Sequence, residues 1–526
     1  MTSFLSTTKP NNILLRESLF IQAFFLNINC VFLILIRNSF TIILSAYYWR
    51  KITLMKLTFL GASRQVTGSM YLLELESGYN ILIDCGVNME RLEKGQKVNK
   101  PFSLFDPTSI NIVLLTHAHI DHSGNIPNLY GYGYEGQIVC TTATYHLARL
   151  LLHDSALLNE KKRKRIYDLK NKAPIKAAKL STEGLYGTKL ADEASSHFFN
   201  ISFNQPFKLT EGVYVTYFPT GHLLGAANIL LSIKEGGETK KILFSGDIGR
   251  KNYPLLCDPY PLPQVDYLLC ETTYAGRYHQ NDKVPPEDII EDVIKRTCVD
   301  KPGRVIIPAF SAGRTQTILY LINKLSTEGR LPPIKVFVDS PLAIESTRAY
   351  EKFPKLLNKE AREFLDYNEE LFDFENLVYV KDAKQSRQLD NYHEPCVIIS
   401  AAGMMEGGRI QQHIRNNIGN SYCTIFIVGY NAEGTLGRQL MDKAPVISMN
   451  GKDFTVECNI EVTDAFSGHA GHGELIDFVC QQNPEQLKQL FLVHGEEQNM
   501  HVFKDELLTK GFKNVEIPFF GESFQL

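Results

Sequence analysis

The sequence predicts an α/β protein in which short buried strands carry polar residues to the rim of a sandwich, with a second, parallel α/β sheet inserted late in the chain. Two patterns support this. From residue 55 onward, apolar strands stop repeatedly at a single His, Asp or Glu, with a glycine nearby in all cases but one. Between 304 and 428, strands alternate with helical stretches, the rhythm of a parallel sheet. A third observation concerns chemistry: His117, His119 and His122 fall within six positions, in a chain with 14 histidines among 526 residues.

At 44% hydrophobic residues, a chain of this length holds material for two or three cored domains. Lys+Arg (55) and Asp+Glu (58) nearly balance at a net charge of −3, so any basic surface must be local. The ten cysteines are scattered without a C-x-x-C pair, which predicts reduced thiols in a cytoplasmic protein. Cys85 and Cys270 sit beside carboxylates but need no role beyond that of small buried hydrophobes.

Residues 1–54 contain two apolar runs, 19–36 and 40–48, bounded by Arg37 and by Arg50 and Lys51. Gln22, Asn27 and Asn29 interrupt the first run, and no small-residue cleavage site is evident. A start at Met55 is therefore favoured over an anchor, and a membrane partner is expected only if 1–54 is genuine. Stretches 71–75 and 79–83 form a predicted hairpin ending at Asp84-Cys85-Gly86. Strand 112–115 delivers the histidine cluster. Residues 147–180 read as mainly helical, with a break near Pro174, and carry the basic run 161–165. That run is expected to be a solvated face; its alternative is phosphate contact near the cleft.

The strand pattern then repeats. Strand 213–218 ends at His222, 241–244 at Asp247, 267–270 at Glu271 and 491–493 at His494. A lone polar residue at a strand end is normally a turn residue or cap. So many such ends, with Asp84 among them, predict one shared site. In the insert, strands 304–308, 334–338, 396–399 and 424–428 lead into glycine-containing loops at 310–315, 400–409 and 434–438. Loops that open helices offer backbone N–H groups to phosphate. None of these fits G-x-G-x-x-G or a Walker A loop, so no nucleotide cofactor is expected.

Imidazole and carboxylate ligands suit zinc and similar divalent ions. His117 and His119 can face one metal while Asp121 and His122 face a neighbour. Four ligands are too few for two metals, so the remainder must come from the other strand ends.

The H-x-H-x-D-H cluster, with Asp84 before it and His222 and Asp247 after it, resembles the metallo-β-lactamase superfamily, an αββα sandwich with a two-metal site at its edge. The insert after Glu271, Phe466-Ser467-Gly468-His469 and Leu492-Val493-His494-Gly495-Glu496 resemble its β-CASP branch, the nucleases of RNA processing and DNA repair. Pro308-Ala309-Phe310, Asp339-Ser340-Pro341-Leu342 and 403–409 are similar to bacterial and archaeal members, and the whole is similar to the polyadenylation endonuclease subunit. The expected division is a first metallo-β-lactamase part at 55–272, a β-CASP domain at 273–454 and a returning part at 455–526.

The resemblance implies that His117, His119 and His222 hold one zinc and that Asp121, His122 and His494 hold the other. Asp247 would bridge the two, and Asp84 would orient a ligand or the nucleophilic water. Manganese or iron would also suit these ligands. Glu271 and His469 match two further positions of the branch, and a histidine at 469 accompanies RNA-processing members. An acidic residue often follows two positions later; here that place is Gly471, and His472 is a rival for the role of His469. The KH-type extension of archaeal relatives is absent.

The expected activity is hydrolysis of single-stranded RNA by a metal-bridged hydroxide attacking phosphorus, with His469 protonating the leaving 3′ oxygen. Asp121, Asp84, Glu271 and His469 form the expected catalytic set. Ser311, Arg314, Gly403, Arg409 and Arg438 are candidate substrate-binding residues, and a homodimer is compatible with the resemblance. Competing expectations are a hydrolase of small esters or lactams and a catalytically silent RNA-binding scaffold. The ~180-residue insert and the Glu271/His469 pair count against the first, and the full ligand set against the second.

Overall fold

The computed structural model describes residues 55–88, 102–172, 184–279, 284–449 and 451–526. The 1–54 segment, and the helical stretch expected from 173 onward with its break near Pro174, lie outside the described residues. Lys56–Leu526 form one compact unit. Among the described residues no helix is long and apolar enough to cross a membrane.

Two seven-stranded sheets make a sandwich. The first runs Ser523–Gln525, Lys56–Phe59, Tyr71–Glu74, Asn80–Ile83, Ile112–Leu114, Gln137–Thr141, Phe198–Ile201. The second runs Val515–Glu516, Gln489–Val493, Tyr267–Glu271, Glu238–Phe244, Ala227–Glu235, Val213–Pro219, Phe207–Thr210. Aromatic rings fill the space between them: Phe59 lies 5.1 Å from Phe491 and 5.7 Å from Phe524, and Tyr71 lies 6.3 Å from Phe244.

Helices cover both outer faces. Leu147 and Ala148 of helix Thr142–Lys172 pack with Val113 and Ile138 of the first sheet. Leu475 and Val479 of helix His472–Val479, and Met500, Phe503 and Leu507 of helix Glu497–Thr509, pack with Leu243, Leu268 and Leu490 of the second. Central strands such as Ile112–Leu114 and Tyr267–Glu271 are buried on both faces, which is why they read as continuous apolar runs.

The insert is a third sheet, wholly parallel: Leu377–Tyr379, Lys335–Val338, Cys396–Ser400, Arg304–Pro308, Thr424–Ile427, Asn459–Val462. Helices Arg314–Thr327 and Pro341–Glu351 cover one face through Ile318, Ile322 and Ile344. Helices Ile410–Asn417 and Leu436–Met441 cover the other through Ile414 and Leu440. Its last strand is drawn from beyond residue 454, past the division expected from the sequence. The insert and sandwich share one apolar core, in which Leu223, Leu224, Leu255 and Leu256 meet Ala312, Tyr350, Leu357 and Phe466.

Because Phe59 is fully buried where the two sheets face each other, Phe59→Ala is expected to cost about 3–5 kcal/mol. Urea unfolding followed by fluorescence would show this as a lowered midpoint.

Candidate metal centre

The ligands gather because both sheets end their strands at one rim. Strand Asn80–Ile83 ends at Asp84, Ile112–Leu114 leads to the 117–122 loop, Glu238–Phe244 to Asp247, Tyr267–Glu271 closes on Glu271, and Gln489–Val493 ends at His494. Asp84 and His494 both adopt positive φ, 56° and 52°. Non-glycine residues take this conformation only where their surroundings hold them in it. Gly86 is needed for a different reason: a Cβ there would lie 1.7 Å from the Asp121 carbonyl oxygen, so glycine lets the two loops touch.

Two groups of ligand atoms result. His117, His119, His222 and Asp247 each present one atom within 4.8 Å of the others, and so do Asp121, His122 and His494. In the first group His119 Nδ1 lies 3.1 Å from His117 Nε2 and 3.2 Å from His222 Nε2. In the second His122 Nε2 lies 3.2 Å from His494 Nε2, which is 3.6 Å from Asp121 Oδ2.

Asp247 faces both groups. Its Oδ2 is 3.4 Å from His117 Nε2 and 3.3 Å from His222 Nε2; its Oδ1 is 3.2 Å from His122 Nε2 and 3.8 Å from His494 Nε2. That Oδ1 is buried without a hydrogen-bond partner. A buried carboxylate oxygen without a hydrogen-bond partner, faced by the imidazoles of His122 and His494, fits a cation between them.

The opposite ring nitrogens are held from behind. Thr116 Oγ1 donates to Asp84 Oδ2 (2.8 Å) and therefore accepts from His117 Nδ1 (3.1 Å). His122 Nδ1 donates to Asp84 Oδ2 (2.7 Å) and His222 Nδ1 to the Gly468 carbonyl (3.1 Å). His494 Nδ1 lies 2.9 Å from Thr273 Oγ1. These partners fix the tautomers and turn Nε2 inward. Thr116 and Thr273 were not singled out in the sequence, and Gly468 only as part of the 466–469 motif. The only signal of the two threonines is position, Thr116 just before the histidine cluster and Thr273 two residues after Glu271.

Burial pushes His117 and His222 well below the usual imidazole range and His119 to about 4, favouring neutral ligands. Burial would raise Asp121 and Asp247, but the surrounding imidazoles outweigh it, holding Asp121 at about 2 and Asp247 well below the ordinary range. Burial also opposes protonation of His122, yet the carboxylates of Asp247 and Asp84 override it and raise that imidazole well above its usual value.

Beside these groups His469 Nδ1 lies 3.3 Å from Glu271 Oε1 and 4.0 Å from Asp247 Oδ2. The Ile248 N–H donates to Glu271 Oε1 (2.8 Å) and the Thr273 N–H to Oε2 (3.0 Å). Burial would lower His469, but the Glu271 carboxylate raises it above the ordinary imidazole range. The rival, His472, is tied elsewhere: its Nδ1 accepts from the Gly276 N–H and its Nε2 lies 2.8 Å from Glu506 Oε2. His279, unmarked in the sequence, donates from Nε2 to the His469 carbonyl (3.0 Å). Its ring would lie 2.8 Å from a Cβ at 471, which accounts for Gly471 where an acidic residue was expected.

The insert supplies a wall. The Phe310 ring is 6.5 Å from that of His119. Ser311 Oγ lies 3.3 Å from Ser340 Oγ, and the loop at Gly403 rests on the Phe310 backbone. Arg314 lies 4.9 Å over the Phe310 ring and donates from Nε to the Phe466 carbonyl. Arg409 donates to Asp339 Oδ1 (2.6 Å) and to the Val380 and Lys381 carbonyls, in a buried network with His413 and Ser386. Arg438 pairs with Asp442 on the surface. The structure thus brings the seven candidate ligands, Asp84, Glu271 and His469 together, and gives Arg314 and Arg409 partners within the protein.

Family models match this architecture in chain order: the metallo-beta-lactamase superfamily over 64–273, the Beta-Casp domain over 315–440, and a Zn-dependent metallo-hydrolase RNA specificity domain over 453–518. The chain is 30% identical over 469 residues to ribonuclease TTHA0252 of Thermus thermophilus, spanning 89% of this chain and 99% of that one. It is 29% identical to the transcription termination factor FttA of Methanocaldococcus jannaschii (91% of this chain, 72% of that one) and 28% identical to that of Methanosarcina mazei (84% and 67%). A crystal structure of a protein of unknown function from Enterococcus faecalis superimposes with a TM-score of 0.50 at 13% identity, covering 90% of this chain and all of that one, which bears on the fold alone.

An αββα sandwich with divalent-metal ligands on its rim is the mark of a metallo-hydrolase. With the parallel insert and the long match to the Thermus protein, the chain belongs to the β-CASP family of RNA-processing nucleases within the metallo-β-lactamase superfamily.

Metal uptake is expected to release protons. In the metal-free protein the carboxylates of Asp247 and Asp84 raise the folded-state pKa of His122 and so favour its protonated form; the stabilisation this gives is complete below the ordinary imidazole value of about 6.5 and is lost as pH rises through the raised one. A metal must displace this proton, so affinity should climb with pH across that window. Titrating the metal-free protein with Zn²⁺ in weak buffer with a pH indicator at about pH 7 measures the release; uptake without acidification would contradict a protonated His122.

Proposed function

We propose that this nuclease hydrolyses single-stranded RNA at a centre of two zinc ions, one held by His117, His119 and His222, the other by Asp121, His122 and His494, with Asp247 shared. Asp247 carries the assignment: a buried carboxylate with each oxygen turned to a different cluster, one of them unpartnered, is costly unless cations stand there. The imidazole-rich set favours zinc. Zinc ions held by these residues would lower the pKa of a bound water towards ~7 and would neutralise charge on the phosphoryl oxygens.

The side chains supply the remainder. His469 donates a proton to the departing 3′ oxygen, and Glu271, fixed by two backbone N–H groups, aims its ring and favours its protonated form. Asp84 acts through His122 and Thr116, holding both in register. The products are a 5′ phosphate and a 3′ hydroxyl, and the 2′ hydroxyl takes no part. Between insert and rim, Phe310 and the loops of Ser311 and Gly403 form the wall facing the strand. Arg314 and Arg409 shape that wall from behind. Arg438 can exchange its surface partner Asp442 for a phosphate. The free thiols of all nine described cysteines support a cytoplasmic setting.

Cleavage of end-labelled single-stranded RNA by the full chain tests this, with metal content read on the same samples. His469→Ala should lower kcat about 100- to 10,000-fold with metal retained. Asp121→Ala/His122→Ala should lose both activity and metal. A metal-loaded wild type that cuts no RNA would sink the proposal, and the size of the labelled products separates internal from terminal cutting.

A further inference from the structure

Helix Thr142–Lys172 starts beside the metal centre and leads away from it. In its first turn Thr144, with Thr141 just before, donates a hydroxyl to the Gly225 carbonyl, each at 2.8 Å, close behind His222. At about 1.5 Å per residue, the basic run 161–165 lies roughly 25–32 Å further along the axis. It is therefore far from the metal ligands themselves, and any phosphate it contacts belongs to a distant part of the strand.

Lys161, Lys162, Arg163, Lys164 and Arg165 are all exposed. Arg163 leans against Glu160 and the Gly187 backbone. Burial raises the Asp154 carboxyl, Lys161 lies near enough to lower it in part, and Lys162, Lys164 and Arg165 face solvent. Lys161 stands three and four residues before Lys164 and Arg165, spacings at which like charges oppose the helix. A face evolved only for solubility intersperses signs, but here Asp168 is the one acid between 161 and 168. Tyr167, 67% exposed, lies three and four residues after Lys164 and Arg163, so its ring shares their side of the helix. Exposed cations, Lys164 nearest among them, beside an exposed ring match what a single strand offers, phosphates for the one and a base face for the other.

We propose that this helix end is a second RNA-binding station, gripping the backbone of a strand whose scissile bond lies at the metal centre. The proposal rests on the nuclease reading above. At about 3.4 Å per stacked nucleotide, the span takes roughly seven to nine nucleotides. The station therefore holds long substrates and releases short products.

The test is K161Q/K162Q/K164Q/R165Q in the full chain, with its fold checked by circular dichroism. Binding to RNAs of about 4 and about 20 nucleotides is followed by fluorescence anisotropy over a salt series, with chelator present so that nothing is cut. The longer RNA should bind about tenfold or more weakly, and its salt slope should fall by about 2–3, at about 0.7 per lost phosphate contact. The shorter RNA should bind unchanged. Tyr167→Ala should weaken the longer RNA roughly fivefold or more with its slope intact.

Unchanged affinity and slope for the longer RNA would overturn the proposal, as would equal losses at both lengths. So would loss of binding to phosphatidylserine-containing vesicles with RNA binding intact, which would reassign the helix to a membrane surface. Wild-type cleavage, assayed separately with metal, tells the two ideas apart: the expected binding differences without any cleavage would support the station and sink the nuclease reading.

Discussion

Everything at the rim answers to one buried carboxylate. Asp247 stands between two clusters of imidazoles, with each oxygen turned to a different cluster. Crowding five histidines and two aspartates into so little space is unfavourable for the protein alone, because burial strips water from groups that cannot all pair with one another. The surroundings hold the arrangement anyway. Asp84 and Thr116 brace two histidines, the Gly468 carbonyl and Thr273 brace two more, and two strand ends accept left-handed backbone to deliver Asp84 and His494. This is the stability a metallo-hydrolase gives up to keep a site ready for a divalent metal.

What the sequence disclosed follows from the same physics. Strands such as Ile112–Leu114 and Tyr267–Glu271 are buried on both faces, so they appear as unbroken apolar runs whose polar last residues stand out. Leu377–Tyr379 and Asn459–Val462 lie at the sheet's two edges, only partly covered, and leave no such run. The insert's outermost strands therefore carry no such apolar signature in the sequence, and Asn459–Val462 joins the sheet by pairing with Thr424–Ile427. The ligands were legible because glycine-containing turns follow buried strands. The arginines were not: Arg409 resembles a loop cation offered to phosphate until Asp339, 70 residues earlier, claims it. Partners so distant in sequence leave no local trace.

His469 and His472 show how finely such choices are made. Three residues apart, both are plausible acids by composition. Glu271 faces one ring; Gly276 and Glu506 hold the other outside the site. His279 then occupies the space beside residue 471, so the departure from the family pattern at Gly471 and the presence of that imidazole are one fact. A substitution restoring an acid at 471 has to move His279 first.

The parallel pairing of Tyr267–Glu271 with Gln489–Val493 sets Glu271 opposite Val493, across the whole length of the insert. For a chain emerging from the ribosome, this imposes an order. His117, His119, His222 and Asp247 are all made before the insert begins, whereas His469 and His494 appear only after its helices and strands have been synthesised. A polypeptide interrupted within the insert carries the first ligand cluster but lacks a ligand of the second and the proposed acid. The topology thus postpones a potentially destructive nuclease until its own translation has passed that point.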